Sequence, residues 1–349
     1  MSIIRYGIIG AGAIAQRRHM PEAHAHAHST VAAIADPSEG RAEAIAQTYG
    51  ARPYTDYKAM LQDEDIDAVV VACPNAYHAP MTIAALEAGK HVLCEKPMAT
   101  TREDARKMIA TAERTKRHLM IAMNQRFMPA HITAKRILDS GRLGKVLTFR
   151  TAFKHGGPEA WSVDGSKSWF FDATAAFMGV TGDLGVHKVD LVRWLLGDEF
   201  SEVSAAIETL DKTGPDGKPI GLDDNAFLTL RTASNVLGTV NLSWTTYSGE
   251  ENDTVIYCTN GVLKIGTDPD FAVTVDYRNG DRELHKVGAL ATNDSQVASG
   301  VIDAFTEAIR TDRTPEVDGT EGYRCLNVIL TAMESAKAHK VTPIDNNVT

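Results

Sequence analysis

A glycine-rich turn near the start of the chain constrains the fold more than any other feature. The apolar run 5–9 leads into Gly10-Ala11-Gly12-Ala13-Ile14-Ala15, and a helix-compatible stretch follows through residue 27. A buried strand that breaks at glycines and continues as a helix places free backbone N–H groups and the positive end of the helix dipole at one point. Gly10 permits the tight turn, Gly12 lets a phosphate approach, and Ala15 allows close packing of helix on strand. The pattern predicts a pyrophosphate-binding turn.

A carboxylate follows at the distance that nucleotide binding requires. The next apolar run, 31–35, ends at Asp36, 24 residues after Gly12. An acid at this position accepts both hydroxyls of an adenosine ribose and repels a 2′-phosphate. The residues therefore predict NAD rather than NADP as the cofactor. The alternative is an α/β turn that binds no ligand.

Length and charge narrow the class of protein. A chain of 349 residues is long for a single core, so we expect two domains. The net charge of −9 argues against a nucleic-acid partner and against a basic patch for membrane surfaces. No apolar run reaches membrane-spanning length, and we expect no secretory leader before Gly10. The four cysteines are scattered in apolar surroundings, which predicts reduced thiols and a cytoplasmic location.

Strands and helices alternate over residues 1–123, which predicts an α/β domain with a doubly wound parallel Rossmann sheet. The buried strand 68–72 ends at a loop containing Pro74, Asn75 and His78. Loops at the carboxyl ends of such strands face the ligand crevice, so we expect these side chains along the dinucleotide. His78 has a second interpretation, in which it caps its own loop.

The following strand, 91–94, delivers Glu95-Lys96-Pro97 at its end. Pro97 biases Lys96 toward an extended conformation, so we expect the ammonium to be held in the crevice. There it would lower the pKa of a substrate hydroxyl or polarise a carbonyl. The alternative is a solvated loop lysine paired with Glu95.

The spacing of four nearby histidines does not predict a metal site. Residues two apart on a helix point to different sides, and no Cys or His elsewhere has matching spacing. We expect a solvated helix face and no metal. The four histidines are His19, His24, His26 and His28.

The pattern changes over residues 124–349, where seven segments alternate and carry β-branched residues. This predicts an α+β domain with an open, mostly antiparallel sheet and helices on one face. Within it, the Gly-, Pro- and charge-rich segment 211–224 is expected to be an exposed loop. An apolar stripe on the last helix is expected to pack back on the first domain; its residues are Leu326, Ile329, Leu330 and Met333.

The stretch 182–195 is the most informative part of the second domain. Asp183 and His187 are four residues apart, so on a helix both project toward the same space. A histidine near its ordinary pKa is the usual proton acceptor in alcohol oxidation. Asp190, three residues further on, is expected to orient the ring from behind. The alternative is a core histidine beside a carboxylate.

The irregular segment 155–172 is expected to form a loop over the crevice. Trp161 and Trp169 could stack there on a sugar or nicotinamide face. They could equally fill the interface between the domains.

Together these motifs resemble the glucose-fructose oxidoreductase and inositol 2-dehydrogenase (Gfo/Idh/MocA) family. The pieces that carry the resemblance are Gly10 to Ala15, Cys73-Pro74-Asn75 with His78, Glu95-Lys96-Pro97, Asn124 with Arg126-Phe127, and Gly182 to Trp194. The resemblance implies a Rossmann domain plus an open-sheet domain, NAD(P), and hydride transfer to or from a sugar, sugar derivative or cyclitol. It also implies a homodimer or homotetramer that pairs through the open sheet.

The resemblance assigns Lys96, Asp183 and His187 as the catalytic set. One departure is Thr181-Gly182 before Asp183, where many members are richer in glycine; it affects the expected shape of the substrate pocket. The expected cofactor contacts are Gly10, Gly12, Ala13, Ile14, Asp36, Pro74, Asn75, His78, Glu95, Lys96, Asn124 and Trp169. The expected substrate contacts are Lys96, Arg126, Lys154, His155, Trp161, Asp183 and His187.

Two other functions are compatible with these motifs. Some relatives are glycoside hydrolases that hold NAD tightly, oxidise a sugar transiently, and then eliminate and rehydrate. Others are non-catalytic nucleotide sensors, but such members can lose the lysine or the histidine, and this chain keeps both.

Overall fold

The alternating strands and helices of the first third build a parallel sheet. The computed structural model describes residues 3–214, 217–288, 290 and 298–348. In this part of the chain the first sheet has six strands, in the order β3-β2-β1-β4-β5-β6, and all their pairings are parallel. The strands are β1 (Ile4–Ile9), β2 (Ser29–Ala35), β3 (Arg52–Tyr54), β4 (Ala68–Val71), β5 (His91–Cys94) and β6 (Leu119–Ile121).

Helices connect these strands. Every residue of β4 is buried, as its unbroken apolar sequence predicts for a strand covered on both faces. The strand order reverses beside β1, and in such sheets a crevice forms at that point, outside the carboxyl ends of the strands.

The helices of this half are α1 (Met20–Ala25), which continues a π-helical turn at Ala15–His19, then α2 (Glu39–Tyr49), α3 (Tyr57–Leu61), α4 (His78–Glu87) and α5 (Arg102–Thr115).

The second sheet is mixed and mostly antiparallel, as predicted. Among the described residues it has nine strands in the order β14-β13-β12-β11-β7-β10-β9-β8-β15, and β7 with β10 is the parallel pair. Its strands are β7 (Val146–Lys154), β8 (Phe200–Glu208), β9 (Asn225–Thr232), β10 (Leu237–Ser243), β11 (Glu251–Cys258), β12 (Gly261–Ile265), β13 (Val273–Tyr277), β14 (Arg282–His285) and β15 (Thr342–Pro343).

The helix over residues 301–311 packs on the first sheet beside α1, and the other remaining helices pack on the second sheet or between the two sheets. The remaining helices are α6 (Pro129–Asp139), α7 (Ala173–Ala176), α8 (Val186–Leu196), α9 (Val301–Thr311) and α10 (Gly319–Ala338), with a π-helical turn at Thr181–Gly185 directly before α8. Short 3₁₀ turns lie at Asn75–Tyr77, Asn124–Phe127, Pro158–Ala160, Gly165–Lys167 and Trp169–Phe171.

The last helix contacts both sheets rather than the first alone. At Gly322 of α10, an added Cβ would lie 3.0 Å from Met98 Sδ, on the Rossmann side. Further along, Ser335 Oγ donates to Val203 O of β8 at 3.2 Å. The expectation that this helix packs on the first domain therefore describes only part of its contacts.

The described middle of segment 211–224 is mostly exposed, as its composition predicts, but residues near both of its ends are buried. Lys212, Asp223 and Asp224 are buried. The two carboxylates accept hydrogen bonds from backbone N–H groups, which satisfies their oxygens in the interior. Asp224 accepts hydrogen bonds from the backbone of residues 210–212 at 2.7–2.8 Å. Asp223 accepts from the N–H groups of residues 179 and 181, at the start of the turn that carries the site. Residues 215 and 216 lie outside the described part.

Candidate active site

The carboxyl ends of β1, β2, β4 and β5 open into a cavity of about 770 Å³. Its lining continues onto the second sheet, where Phe153 of β7 contributes, and onto α8. The predicted site residues that line it are Gly10, Gly12, Ala13, Ile14, Asp36, Pro74, Asn75, His78, Glu95, Lys96, Asn124, Trp161, Trp169, Asp183 and His187.

The glycine turn has the geometry that a pyrophosphate needs. Gly10 has φ of +90°, and a Cβ there would collide with the carbonyl oxygen of Ala72. At Gly12 a Cβ would meet no atom of the described residues within 4 Å, so this backbone faces open cavity. Ala15 is fully buried against the first sheet. The turn is shaped for the close approach of a ligand to the backbone.

The acid that follows β2 is held in position by two backbone N–H groups. Asp36 Oδ2 accepts the N–H of Ala11 at 3.0 Å, and Oδ1 accepts the N–H of Ser38 at 2.9 Å. The side chain is buried and lines the cavity beside the glycine turn. Arg41 Nη1 lies 3.6 Å from Asp36 Oδ2. These residues fit the adenosine half of NAD, whose ribose hydroxyls would donate to the carboxylate.

Lys96 points into the cavity and pairs with the second domain. Its Nζ donates to Asp183 O at 2.9 Å and to Asp183 Oδ1 at 3.0 Å. The alternative pairing with Glu95 is wrong, because Glu95 Oε1 instead lies 2.8 Å from His19 Nε2. Burial opposes the charge of Glu95, yet the hydrogen bond and charge of His19, followed by Lys96, lower its pKa to about 2.

Asp183 is the most heavily engaged side chain of the site. Besides Lys96, it receives a hydrogen bond from Trp244 Nε1 to Oδ2 at 3.1 Å, and His155 Nε2 lies 3.8 Å from the same oxygen. Burial raises the pKa of this carboxyl, but the charge of Lys96 and the His155 ring outweigh burial and hold the pKa below its ordinary value. Asp183 is therefore a buried carboxylate whose charge Lys96 compensates.

His187 lies in the first turn of α8 and lines the same cavity as Lys96 and Asp183. Asp183 itself belongs to the preceding π-helical turn, so the predicted continuous α-helix is interrupted between them. Burial and the nearby charge of Lys96 hold the pKa of His187 well below its ordinary value, and Asp183 opposes them only in part. Its Nδ1 is buried and has no hydrogen-bond partner among the described residues.

The expectation that Asp190 orients the His187 ring is wrong. Both oxygens of Asp190 accept hydrogen bonds from Arg126, at 2.8 Å and 2.6 Å. Arg126 Nη2 also donates to Glu321 Oε2 at 2.7 Å. The expected substrate contact by Arg126 is wrong for the same reason: its guanidinium is buried in this ion-pair cluster, and Arg126 is not among the described residues that line the cavity.

We expect the substitution Arg126→Met to lower the free energy of unfolding by about 3 kcal/mol, because it leaves the Asp190 carboxylate buried without its cation. Chemical denaturation measures this effect. Arg136→Met, at an exposed position of α6, is the matched control and should change stability by less than about 0.5 kcal/mol. A raised KM for substrate with unchanged stability would instead return Arg126 to the substrate site.

Two further expected substrate contacts lie outside the cavity lining. Phe153 of β7 lines the cavity, so the next residue, Lys154, points to the opposite face of the sheet, where its Nζ lies 2.9 Å from Glu251 Oε2. His155 is buried behind Asp183, and its Nδ1 accepts the N–H of Gly157 at 2.9 Å. Contact with substrate is therefore wrong for Lys154, and His155 supports Asp183 from behind.

The segment 155–172 covers the cavity, as predicted, and is called the covering segment below. Trp169 stacks on Phe170 with ring centroids 4.0 Å apart, and Trp161 meets the same ring edge-on at 5.1 Å. Both tryptophans also line the cavity, so each packs within the segment and presents a face to a ligand. The Nε1 atom of Trp161 is buried and has no partner among the described residues.

The loops beside the cofactor turn are braced by their own polar groups. His78 lines the cavity, but its Nδ1 lies 2.7 Å from Pro97 O and its Nε2 2.8 Å from Cys73 O. These contacts match the loop-capping interpretation of His78. Asn75 Nδ2 donates to Ala176 O at 2.9 Å, which ties the loop to the second domain.

Sequence reasoning missed several residues of the site, among them Arg18, Phe153 and Trp244. Arg18 and Phe153 line the cavity, and Trp244 bonds Asp183 from β10's end. Arg18 lies one turn into the helix after the glycines, a position that could have indicated it. The assignment of His19 to a solvated helix face is wrong, since it is buried on Glu95.

Within the described residues no group of His, Cys, Asp or Glu side chains is arranged to hold a metal ion. A search of the same residues finds no helix that is both long and apolar enough to cross a membrane.

Comparisons with known proteins agree with this geometry. The model of an oxidoreductase family with an NAD-binding Rossmann fold matches residues 4–123, and the model of the Gfo/Idh/MocA C-terminal domain matches residues 131–264. Levoglucosan dehydrogenase of Pseudarthrobacter phenanthrenivorans is 31% identical over 273 residues, which cover 69% of this chain and 67% of that protein. Inositol 2-dehydrogenase 2 of Saccharopolyspora erythraea is 35% identical over 236 residues, covering 66% of this chain and 64% of that protein.

A solved structure resembles the whole chain. Levoglucosan dehydrogenase in complex with NADH and L-sorbose has a TM-score of 0.87 at 25% identity, covering 99% of this chain and 100% of that one. These relatives do not favour a glycoside hydrolase or a non-catalytic regulator. The chain belongs to the Gfo/Idh/MocA family of NAD-dependent oxidoreductases.

Proposed function

We propose that this oxidoreductase interconverts a hydroxyl and a carbonyl on a sugar, sugar derivative or cyclitol, with Lys96, Asp183 and His187 as its catalytic residues. The observation that carries the proposal is their convergence in the cavity that also contains the glycine turn. The related dehydrogenases named for levoglucosan and inositol support this class of substrate.

The three side chains have complementary tasks. Bound NAD supplies the hydride acceptor or donor at its nicotinamide ring. His187 is neutral at neutral pH because its pKa is low, so it can take the proton that leaves a substrate hydroxyl during oxidation. Lys96 stabilises the oxygen as negative charge develops on it. Asp183 holds the ammonium in place and accepts a hydrogen bond from substrate.

The other cavity groups suit a neutral polyol. Trp161 and Trp169 offer apolar faces against which the C–H face of a sugar ring packs.

A substrate panel tests the proposal. Inositols, aldoses and glycosides are assayed with NAD, following release of NADH by absorbance. We expect turnover on at least one inositol or aldose. Hydrolysis of a glycoside without net NADH release, by protein that retains its nucleotide through gel filtration, would contradict a dehydrogenase.

We expect NAD to be preferred over NADP in kcat/KM, because a ribose bound at the Asp36 carboxylate would bring a 2′-phosphate into repulsion with its charge. Asp36→Ala should reduce that preference by removing the repulsion. Steady-state kinetics with both cofactors measures the change. A higher kcat/KM with NADP in the wild type would refute the assigned role of Asp36.

We further propose a homodimer or homotetramer that forms through the open face of the second sheet. The register of β7, β9, β10 and β11 puts three exposed apolar side chains on this face: Phe227, Leu237 and Tyr257 are 52%, 39% and 38% exposed. Such side chains favour an interface. Sedimentation velocity tests the proposal, and a monomer at micromolar concentration would contradict it.

The proposed division at residue 123 and the proposed cytoplasmic location rest on other observations. The family models meet near that residue, and limited proteolysis that cleaves there tests the division.

The four cysteines are free thiols, as expected in a reducing compartment. Cell fractionation tests the location.

A further inference from the structure

Acidic groups dominate the end of the cavity that Asp36 marks. Asp36, Asp56 and Asp164 all contribute to the lining. Among the described residues, Arg41 is the cation that pairs with Asp36. Asp56 is engaged as a helix cap, because it accepts the N–H of Lys58 at 2.9 Å. Asp56 keeps its charge as a cap, so this end of the cavity lining carries three carboxylates and the Arg41 cation.

Arg41 connects the two halves of the molecule at this point. It lies on α2 of the Rossmann half, with Nη1 3.6 Å from Asp36 Oδ2. Its Nη2 lies 3.5 Å from Oδ1 of Asp164, which belongs to the covering segment of the other half. One guanidinium thus stands between two carboxylates that come from different halves.

The position of Asp164 is fixed by its own segment. Ser162 Oγ donates to Gly165 O at 3.1 Å, and Lys167 N donates to Asp164 O at 3.0 Å, which together hold a tight turn. The start of the segment is anchored by Lys212 Nζ, which donates to Gly156 O at 2.6 Å and pairs with Glu159. These contacts hold the backbone of residue 164 in a position from which its side chain reaches Arg41.

We propose that Asp164 is a second determinant of cofactor specificity, which acts by neutralising Arg41. A 2′-phosphate on the adenosine ribose needs a cation, and Arg41 is the residue placed to supply one. Asp36 repels that phosphate directly, while Asp164 occupies the guanidinium that would bind it. The inference rests on the proposed placement of the ribose at Asp36.

Asp36 acts on the 2′-phosphate directly, whereas Asp164 acts on it through Arg41. The effects of removing the two carboxylates are therefore coupled. Removing Asp36 alone leaves Arg41 paired with Asp164, and the gain in NADP⁺ affinity stays limited. Removing both carboxylates frees the guanidinium. The gain from Asp164 must disappear when Arg41 is absent.

Calorimetric titration of the purified protein with NAD⁺ and NADP⁺ tests the inference without depending on turnover. Asp164→Asn is introduced into wild type, into Asp36→Ala, and into Asp36→Ala/Arg41→Ala. In the Asp36→Ala background we expect it to tighten NADP⁺ binding about fivefold, the scale of an exposed ion pair. NAD⁺ affinity should change less than about twofold, because no charge of NAD⁺ faces Arg41. Asp270→Asn, an exposed acid outside the cavity lining, controls for net charge and should change neither affinity.

Two results would overturn the inference: unchanged NADP⁺ affinity in the Asp36→Ala background, or an equal gain in the background that lacks Arg41. The NAD⁺ titrations report on the proposed function separately. If wild type fails to bind NAD⁺, both the placement of the ribose and this inference are wrong; if NAD⁺ binds normally and Asp164→Asn has no effect, only this inference fails.

Discussion

Lys96→Ala is expected to lower kcat/KM by two or more powers of ten while NAD still binds. The ammonium acts on the reacting oxygen, whereas the pyrophosphate lies at the glycine turn, so chemistry and cofactor binding should separate. A hundredfold loss corresponds to about 3 kcal/mol in the activation barrier. Steady-state kinetics together with calorimetric binding of NAD⁺ measures both effects.

The variant also removes the cation that compensates Asp183, and this effect on folding has to be separated from chemistry. Lys96→Ala leaves a buried carboxylate without its 3.0 Å partner, which destabilises the fold. Adding Asp183→Asn to Lys96→Ala removes the charge and should restore stability without restoring turnover. Recovery of activity in the double variant would show that neither Lys96 nor the Asp183 charge takes part in the chemistry.

A lysine of the same kind outside the cavity provides the matched control. Lys107 lies on α5 with its side chain 56% exposed, so Lys107→Ala should leave kcat/KM within twofold of wild type. Activity of Lys96→Ala within threefold of wild type would show that the ammonium does not act on the reacting oxygen.

The first sheet could be predicted because its signals are local. Each buried strand is a short apolar run, and glycines end the strand or helix where the chain must turn, as at Gly10 with φ of +90°. Lys96 was predictable for the same reason, since a strand end fixes where the next residues lie. Local sequence was enough wherever one element determined the position of a side chain.

The partners of the site residues were not predictable, because they come from distant parts of the chain. Asp190 lies on α8, which is buried on nearly all sides, so spacing alone does not say which neighbour it faces. It faces Arg126, a buried cation 64 residues earlier. Trp244, which bonds Asp183, comes from the end of a strand whose register no local signal specifies.

Lys154 shows a different kind of failure. Strand alternation could have excluded it, because Phe153 faces the cavity and neighbouring residues of a strand face opposite ways. Which alternating side chains of a strand point into the core is known only once one of its residues has been assigned to the core. In β7 the inner residues include Thr151 as well as Phe149 and Phe153, which blurs the apolar alternation.

His187→Asn is expected to abolish most of the oxidation activity, by two to four powers of ten, and to remove any acidic limb that His187 imposes on the rate. Neutral imidazole accepts the hydroxyl proton and imidazolium does not. Burial and Lys96 lower the pKa of His187 well below 6.5, so the limb lies at more acidic pH than for a free histidine. The rate should stay level as pH falls through about 6.5 and decline only well below it.

Folding changes in the same pH range and must be measured alongside the rate. The folded pKa of His187 is lower than its unfolded value of about 6.5, so the unfolded state binds more protons and stability falls as pH decreases below about 6.5. Denaturation at each pH identifies the range in which the enzyme stays folded. The rate profile is interpreted only within that range.

His131→Asn is the matched control, because His131 is also fully buried but lies on α6 outside the cavity lining. Its Nδ1 lies 2.7 Å from Gln125 O, and burial, followed by the charge of Lys188, lowers its pKa to about 3. We expect His131→Asn to lose stability and to keep its turnover per folded molecule. His187→Asn should do the reverse and still bind NAD⁺. Normal turnover with an unchanged pH profile in His187→Asn would reject His187 as the base and leave Asp183 as the nearest candidate.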